Sequence, residues 1–243
     1  MKISELFYSI QGEGKRTGYP SFFIRTNFCN LRCRFLSGNL CDTAYTSWYP
    51  EDEKNIGELS IEKIVEEYTK YKAADIVITG GEPVIQLKEL NNLCKKIKDI
   101  NDNIFITVET NGTFFGDFVN NVDLISISPK LLSSSPIGSE YENIHNKNRI
   151  NFEALKKFKE KYQKKEIDIQ WKFVVNSGND LDEIKTLQNE IGIESKNIFL
   201  MPEGIIEKEI SEKSILIAEL CKKNQYNFTS RLHIYLWGNQ RGK

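Results

Sequence analysis

The sequence is poor in histidine: only His145 and His233 occur among 243 residues. Two imidazoles leave little room for histidine acid–base chemistry or for a multi-histidine zinc site. The chain also lacks an excess of charge, with 33 Lys and Arg against 34 Asp and Glu and a formal net charge of −1. A near-neutral balance excludes the basic footprint of a nucleic-acid binder and a polybasic membrane arm. No stretch approaches the roughly 18 apolar residues of a membrane span. The opening Met1-Lys2-Ile3-Ser4-Glu5 has no apolar run of the kind a secretory signal needs. A cytoplasmic location is therefore expected, where thiols stay reduced. The five cysteines agree, since a purely intrachain disulfide framework would leave one over. Six prolines, and no repeat or low-complexity block, give few places for a linker.

What is present is a globular composition, 40% hydrophobic and 28% charged. A chain of this length buries roughly 70–75% of its unfolded surface without staples. Short apolar strands alternate with amphipathic helices. Strands are expected at 4–10, 21–28, 75–79, 104–108, 124–128, 167–175, 197–201 and 231–237. Helices are expected at 61–71, 87–100, 152–162, 181–191 and 209–223. The stretch 29–58 reads as a loop, and 133–149, with its Ser133-Ser134-Ser135-Pro136, as a mobile loop. Alternation of this kind implies right-handed βαβ units and a largely parallel sheet. About six units are too few to close an eight-fold barrel. The expected fold is α/β, a partial (open) TIM-like barrel in one domain over residues 1–243.

Polar and glycine-rich tetrapeptides follow the strands: Gly80-Gly81-Glu82-Pro83, Glu109-Thr110-Asn111-Gly112, Ser128-Pro129-Lys130 and Met201-Pro202-Glu203-Gly204. Each alone is ordinary turn chemistry. Repeated on one edge of a parallel sheet, where ligands bind, they point to a site.

Cys29, Cys33 and Cys41 fall within thirteen residues, whereas Cys94 and Cys221 lie on helices at apolar positions and read as core. Three thiols in one loop of a cytosolic chain suggest a metal or cluster site. Structural zinc wants four ligands, and no fourth Cys or His is near in sequence. Thiolates also hold iron–sulfur clusters, and three of them on a four-iron cluster leave one iron open to a substrate or cofactor.

A three-cysteine loop after an early strand, followed by Gly80-Gly81-Glu82-Pro83 after the next, resembles the radical S-adenosylmethionine enzymes. Phe7–Gly14, Gly18-Tyr19-Pro20, Phe23-Ile24-Arg25, Cys29-Asn30-Leu31-Arg32-Cys33, Cys41-Asp42-Thr43, Thr79–Pro83, Glu109–Thr113, Ser128–Lys130 and the tail Arg231–His233 through Trp237–Asn239 resemble the 7-carboxy-7-deazaguanine synthases. The likeness runs from the first strand to the C-terminal segment. It implies ring contraction of 6-carboxy-5,6,7,8-tetrahydropterin with loss of ammonia, a lyase step towards queuosine and other 7-deazapurines. The cofactors implied are a [4Fe-4S] cluster, S-adenosyl-L-methionine and Mg2+.

Carried over residue by residue, the resemblance makes Cys29, Cys33 and Cys41 the cluster ligands. The usual spacing is C-x-x-x-C-x-x-C, and here seven residues separate the last pair. Leu36 stands where the third cysteine would fall. Cys41 is chosen because Asp42-Thr43 follows it, with Ser37-Gly38-Asn39 bulging out. Thr43 matches a magnesium contact. Leu40, Asp42, Gly81, Glu82, Ser128, Pro129, Lys130 and Met201 are implied around S-adenosylmethionine. Ile10, Gln11, Gly12, Glu13, Arg25, Thr79, Glu109 and His233 are implied around the substrate, with Arg25 gripping its carboxylate. A core histidine competes as the reading of His233, and a surface ion pair as that of Arg25. Rival functions are a glycyl-radical activating enzyme and a zinc-stabilised binding module. A flavodoxin or ferredoxin as electron donor and a homodimer are further expectations, with neither nucleic acid nor membrane as partner.

Overall fold

A computed structural model describes all residues, 1–243. In chain order the elements are β1 (Lys2–Ile10), β2 (Pro20–Thr26), a one-turn α1 (Ala44–Ser47), β3 (Gly57–Glu58), α2 (Ile61–Thr69), β4 (Asp75–Gly80), α3 (Leu87–Ile100), β5 (Phe105–Thr110) and β6 (Leu124–Ile127). There follow α4 (Glu142–Asn148), α5 (Phe152–Gln163), β7 (Asp168–Val175), α6 (Asp180–Ile191), β8 (Ile198–Pro202), α7 (Glu207–Asn224), β9 (Asn227–Phe228) and α8 (Leu232–Trp237). One sheet runs in the order β3-β1-β2-β4-β5-β6-β7-β8-β9. β1 pairs antiparallel with β2 and β3, and every later pairing is parallel. The two ends of the sheet do not meet, so this is an α/β partial barrel, as the alternation implies.

Residue alternation decides which side chains face the helices and which face inward. Ile24, Ile76, Ile78, Ile106, Val108, Ile125, Ile127, Ile169, Trp171, Phe173, Ile198 and Leu200 join a 40-residue apolar core. The helices present matching stripes: Leu90, Leu93, Cys94 and Ile97 on α3, and Ile210, Ile217 and Cys221 on α7. Cys94 and Cys221 are thus core residues, as expected. The opposite strand faces carry Arg25, Thr79, Glu109, Ser126, Lys172 and Met201, which line the barrel interior. Only Phe7, Phe23 and Val77 form an apolar cluster apart from the main core.

Local caps fix several boundaries. The Ser60 side chain accepts from Lys63 N–H at the start of α2, and Asn151 from Ala154 N–H at the start of α5. Gly192 ends α6 in the left-handed region, at φ 76°.

Three expectations are corrected. The segment 231–237, rich in aromatic and branched residues, is helical from Leu232 rather than a strand. The sheet has already ended at β9, and the segment turns back over the barrel mouth, where Leu232 N–H donates to Gly12 C=O at 2.9 Å. The stretch 133–149 is not an open loop. Ser133–Ser135 are buried, Ser134 Oγ caps Leu131 C=O at 2.7 Å, and α4 buries His145. Serine and proline, read there as loop formers, close their own short turns. The long stretch 29–58 contains α1 and β3, of which neither was expected.

Candidate active site

The residues that follow β1, β2, β4, β5 and β6, with Lys172 and Val174 of β7 and Met201 of β8, converge on one cavity of about 350 Å³. Cys29, Cys33 and Cys41 all line it. The seven residues between the last two fold as a small hairpin. Arg34 and Leu40 form an antiparallel bridge, Phe35 N–H donates to Asn39 C=O at 2.8 Å, and Gly38 turns the tip at φ 94°. Cys41 N–H then donates to Cys33 C=O at 3.1 Å, so cysteines eight positions apart are cross-strand neighbours. The hairpin is tethered outward: Asn39 Nδ2 donates to Glu203 Oε1 at 2.9 Å and to Glu209 Oε2 at 3.1 Å.

The glycines after β4 hold the other end of this loop. Gly81 N–H donates to Thr26 C=O at 3.1 Å and Glu82 N–H to Phe28 C=O at 2.8 Å. A Cβ on Gly81 would overlap the Phe28 carbonyl and stand 3.1 Å from Cys29 N. The glycine is therefore required by close backbone approach. Asn30 extends the contact, donating to Thr113 Oγ1 at 3.0 Å and accepting from Asn111 Nδ2 at 2.9 Å.

Burial pushes the Cys29 thiol up to about 12, with Glu82 adding to the rise, and pushes Cys33 and Cys41 up as well. Lys130 is the nearby cation that opposes all three shifts. Thiolates here need more positive charge than the protein supplies, which is what a bound iron cluster provides. Two protein groups already reach sulfur: Leu31 N–H donates to Cys29 Sγ, and the Thr43 hydroxyl shares a hydrogen bond with Cys41 Sγ, both at 3.4 Å. No three His, Cys, Asp or Glu side chains converge as the ligands of a single metal ion do. Three thiols lining one cavity fit a four-iron cluster with one iron left open.

The same cavity holds a buried charge network. Lys172 pairs with Glu13 and approaches Glu109 at 3.6 Å. Arg231 reaches Asp42 at 3.1 Å and Glu13 at 3.6 Å. Glu109 accepts from Gln11 Nε2 at 3.2 Å and Thr79 Oγ1 at 2.9 Å. Burial pushes the Glu13 carboxyl up, but Lys172, Arg231 and His233 outweigh it and hold it at about 2. Burial and Arg231 push the His233 imidazole below its ordinary value, with Glu13 opposing. Gly12 packs so closely on His233 that a Cβ would overlap Nδ1.

Arg25 donates from Nε to Glu5 Oε2 at 2.8 Å, an oxygen that also accepts from Tyr45 OH at 2.8 Å. Both Arg25 Nη groups are without a protein partner. Arg241 joins this group, donating to Glu5 Oε1 at 3.0 Å and lying over the Tyr45 ring at 3.8 Å.

Of the residues singled out in the sequence, Ile10, Gln11, Gly12, Glu13, Arg25, Asp42, Thr43, Thr79, Gly81, Glu109, Ser128, Lys130, Met201 and His233 line the cavity with the thiols. Leu40 lines a small adjoining pocket with Cys33 and Cys41. Glu82 and Pro129 do not line the cavity. The Glu82 carboxylate is fully buried and braces two strand ends, accepting from Thr110 Oγ1 and Asn111 N–H at 2.7 Å and Val84 N–H at 3.0 Å. Lys172, Arg231 and Tyr45 were not singled out as site residues. Lys172 had a legible signal, the one charged residue within the mostly apolar segment Ile169–Val175.

The sequence profile described as the Radical SAM superfamily matches residues 23–191. A Halobacterium salinarum protein named 7-carboxy-7-deazaguanine synthase is 37% identical, over 98% of this chain and 91% of its own length. A Rhodopirellula baltica protein of the same name is 33% identical, over 99% and 88%. The crystal structure of QueE from Escherichia coli has the same fold, with a TM-score of 0.68 over 95% of this chain and 93% of that one at 24% identity. With a hairpin that returns Cys41 to Cys33 and relatives matched along nearly their whole length, this chain belongs to the radical S-adenosylmethionine superfamily and, within it, to the 7-carboxy-7-deazaguanine synthases.

Proposed function

We propose that this chain, acting as one domain, converts 6-carboxy-5,6,7,8-tetrahydropterin to 7-carboxy-7-deazaguanine with loss of ammonia. The observation that carries the reading is the meeting of three thiols and a free-forked arginine in one cavity. When bound, a [4Fe-4S] cluster with S-adenosylmethionine supplies hydrogen abstraction by a 5'-deoxyadenosyl radical, chemistry that no side chain provides.

The chain's own residues bind, orient and exclude. Cys29, Cys33 and Cys41 hold the cluster, and the Gly80-Gly81 contacts fix the loop that presents them. Gly81, Ser128, Lys130 and Met201 line the S-adenosylmethionine side, and Lys130 offsets the thiolates. Arg25 takes the substrate carboxylate on its two Nη groups, a planar fork that suits two carboxylate oxygens. Glu5 holds that fork through Nε and leaves its outer edge to the ligand. Thr43 offers a hydroxyl oxygen to a magnesium ion shared with the substrate. The Gln11-Gly12-Glu13 turn, Thr79, Glu109 and His233 close around the ring system. A one-electron donor such as a flavodoxin or ferredoxin completes the cycle, and the homodimer remains part of this reading. No helix of the protein is long and apolar enough to cross a membrane.

The test is anaerobic. Reduced, iron-loaded protein is incubated with S-adenosylmethionine, magnesium and the carboxytetrahydropterin, and products are read by mass spectrometry. Formation of the deazaguanine is expected. Cofactor cleavage with the pterin unchanged would favour the glycyl-radical activating reading instead.

A further inference from the structure

Lys172 stands in the middle of β7, 5% exposed, on the face that lines the cavity. A buried ammonium with an incomplete set of partners is costly unless a ligand completes it. Its one hydrogen bond goes to Glu13, and Glu109 Oε1 lies 3.6 Å away. One ammonium carries three donors, so at least one remains uncommitted. Beside it, Glu109 accepts once on each oxygen, from Gln11 and from Thr79, and retains lone pairs. A donor and two carboxylates therefore sit side by side, each with capacity to spare.

We infer that Lys172 is a specificity residue that reads a ring carbonyl, while Glu13 and Glu109 read adjacent N–H groups. With Lys172 between the two carboxylates, that set complements a ring carbonyl flanked by two N–H groups, as the 4-oxo group of a 2-amino-4-oxo tetrahydropterin lies between N3–H and N5–H. The inference rests on the proposed function, whose substrate carries such an edge, and assigns the carbonyl to one residue. A ring bearing an amino group in place of the 4-oxo group turns a donor against the ammonium. Such mismatches between donors are discriminated strongly, because buried polar groups are left unpaired.

The test is equilibrium binding, by calorimetry, to cluster-loaded protein with S-adenosylmethionine present and no reductant. The probes are the carboxytetrahydropterin and its 4-amino counterpart. Wild-type protein is expected to prefer the 4-oxo ligand by about 10- to 100-fold, the range of one charge-assisted hydrogen bond. Lys172→Met should lose that preference. Lys172→Arg, which keeps the charge between the two carboxylates, covers the case in which the methionine variant fails to fold. It should weaken 4-oxo binding and reduce the preference, because its donors are displaced. An unchanged preference in a folded variant overturns the inference while leaving the function standing. Wild-type protein that binds neither pterin overturns both.

Discussion

Cys41 donates its backbone N–H to the carbonyl of Cys33 at 3.1 Å, although seven residues separate them. The hairpin between them, closed at Gly38, makes the unusual spacing geometrically short. Cys41 rather than position 36 therefore stands beside Cys33. Leu36 is 63% exposed at the hairpin tip, outside the cavity.

Cys41→Ser should therefore strip the cluster. Anaerobically reconstituted wild type is expected to hold about four irons per chain, and Cys41→Ser far fewer. Cys94→Ser, on the apolar face of α3, should retain wild-type iron. Equal iron in Cys41→Ser and wild type would place the third ligand elsewhere.

Gly81→Ala should disturb the same loop from the other side. The added methyl meets backbone atoms of Phe28 and Cys29, which cannot rotate away. Overpacking of this kind costs about 1–3 kcal/mol, or a fall in melting temperature of roughly 2–10 °C in a chain of this size. Iron content should fall with it. Thermal melts of the unloaded protein and iron assays of the loaded one check the two effects separately.

Arg25→Lys keeps a cation beside Glu5 but loses the fork. The KM for the carboxylated pterin should rise by about 10-fold or more, as expected for loss of a bidentate charge-assisted contact. Cofactor cleavage without pterin should stay near the wild-type rate. An unchanged KM would show that the carboxylate is held by another group.

Acid sensitivity should trace to the charge network. Glu13 is held at about 2 against an ordinary 4.5, burial being outweighed by Lys172, Arg231 and His233. A carboxylate depressed on folding stabilises the protein above its unfolded value. That contribution is lost as pH falls from about 4.5 to about 2. Urea midpoints of the unloaded protein should drop across this window. Glu13→Gln should flatten the slope, leaving a remainder from Asp42, which Arg231 and Arg25 hold below its ordinary value against burial. An unaltered slope in the variant would exclude Glu13 from the acid response.

The sheet was legible because strand and helix periods differ, and because Ile24, Ile76, Ile106 and Ile125 all mark the outward faces. The tail was not. Leu232–Trp237 has a strand's composition, but whether it pairs depends on where the sheet ends. The site was legible where a motif required a backbone geometry, as at Gly81 and the Gln11-Gly12-Glu13 turn. Glu82 shows what a motif leaves unsaid: its position in Gly-Gly-Glu-Pro suggests a cofactor contact, and only the structure shows its carboxylate bracing Thr110, Asn111 and Val84. Lys172 and Arg231 escaped because their partners Glu13 and Asp42 lie far away in sequence. Only the closing of the β1–β2 turn onto β7 and the C-terminal segment brings them together. Lys15 N–H to Gln170 Oε1 and Gly14 N–H to Thr229 Oγ1, both at 2.7 Å, make that closure.

The central claim is a ring contraction that expels ammonia. It is tested most directly by counting ammonium and deazaguanine in one anaerobic reaction with S-adenosylmethionine, magnesium and the carboxytetrahydropterin. The account predicts one ammonium released for each 7-carboxy-7-deazaguanine formed. Cofactor cleavage with neither ammonium nor deazaguanine produced would contradict it.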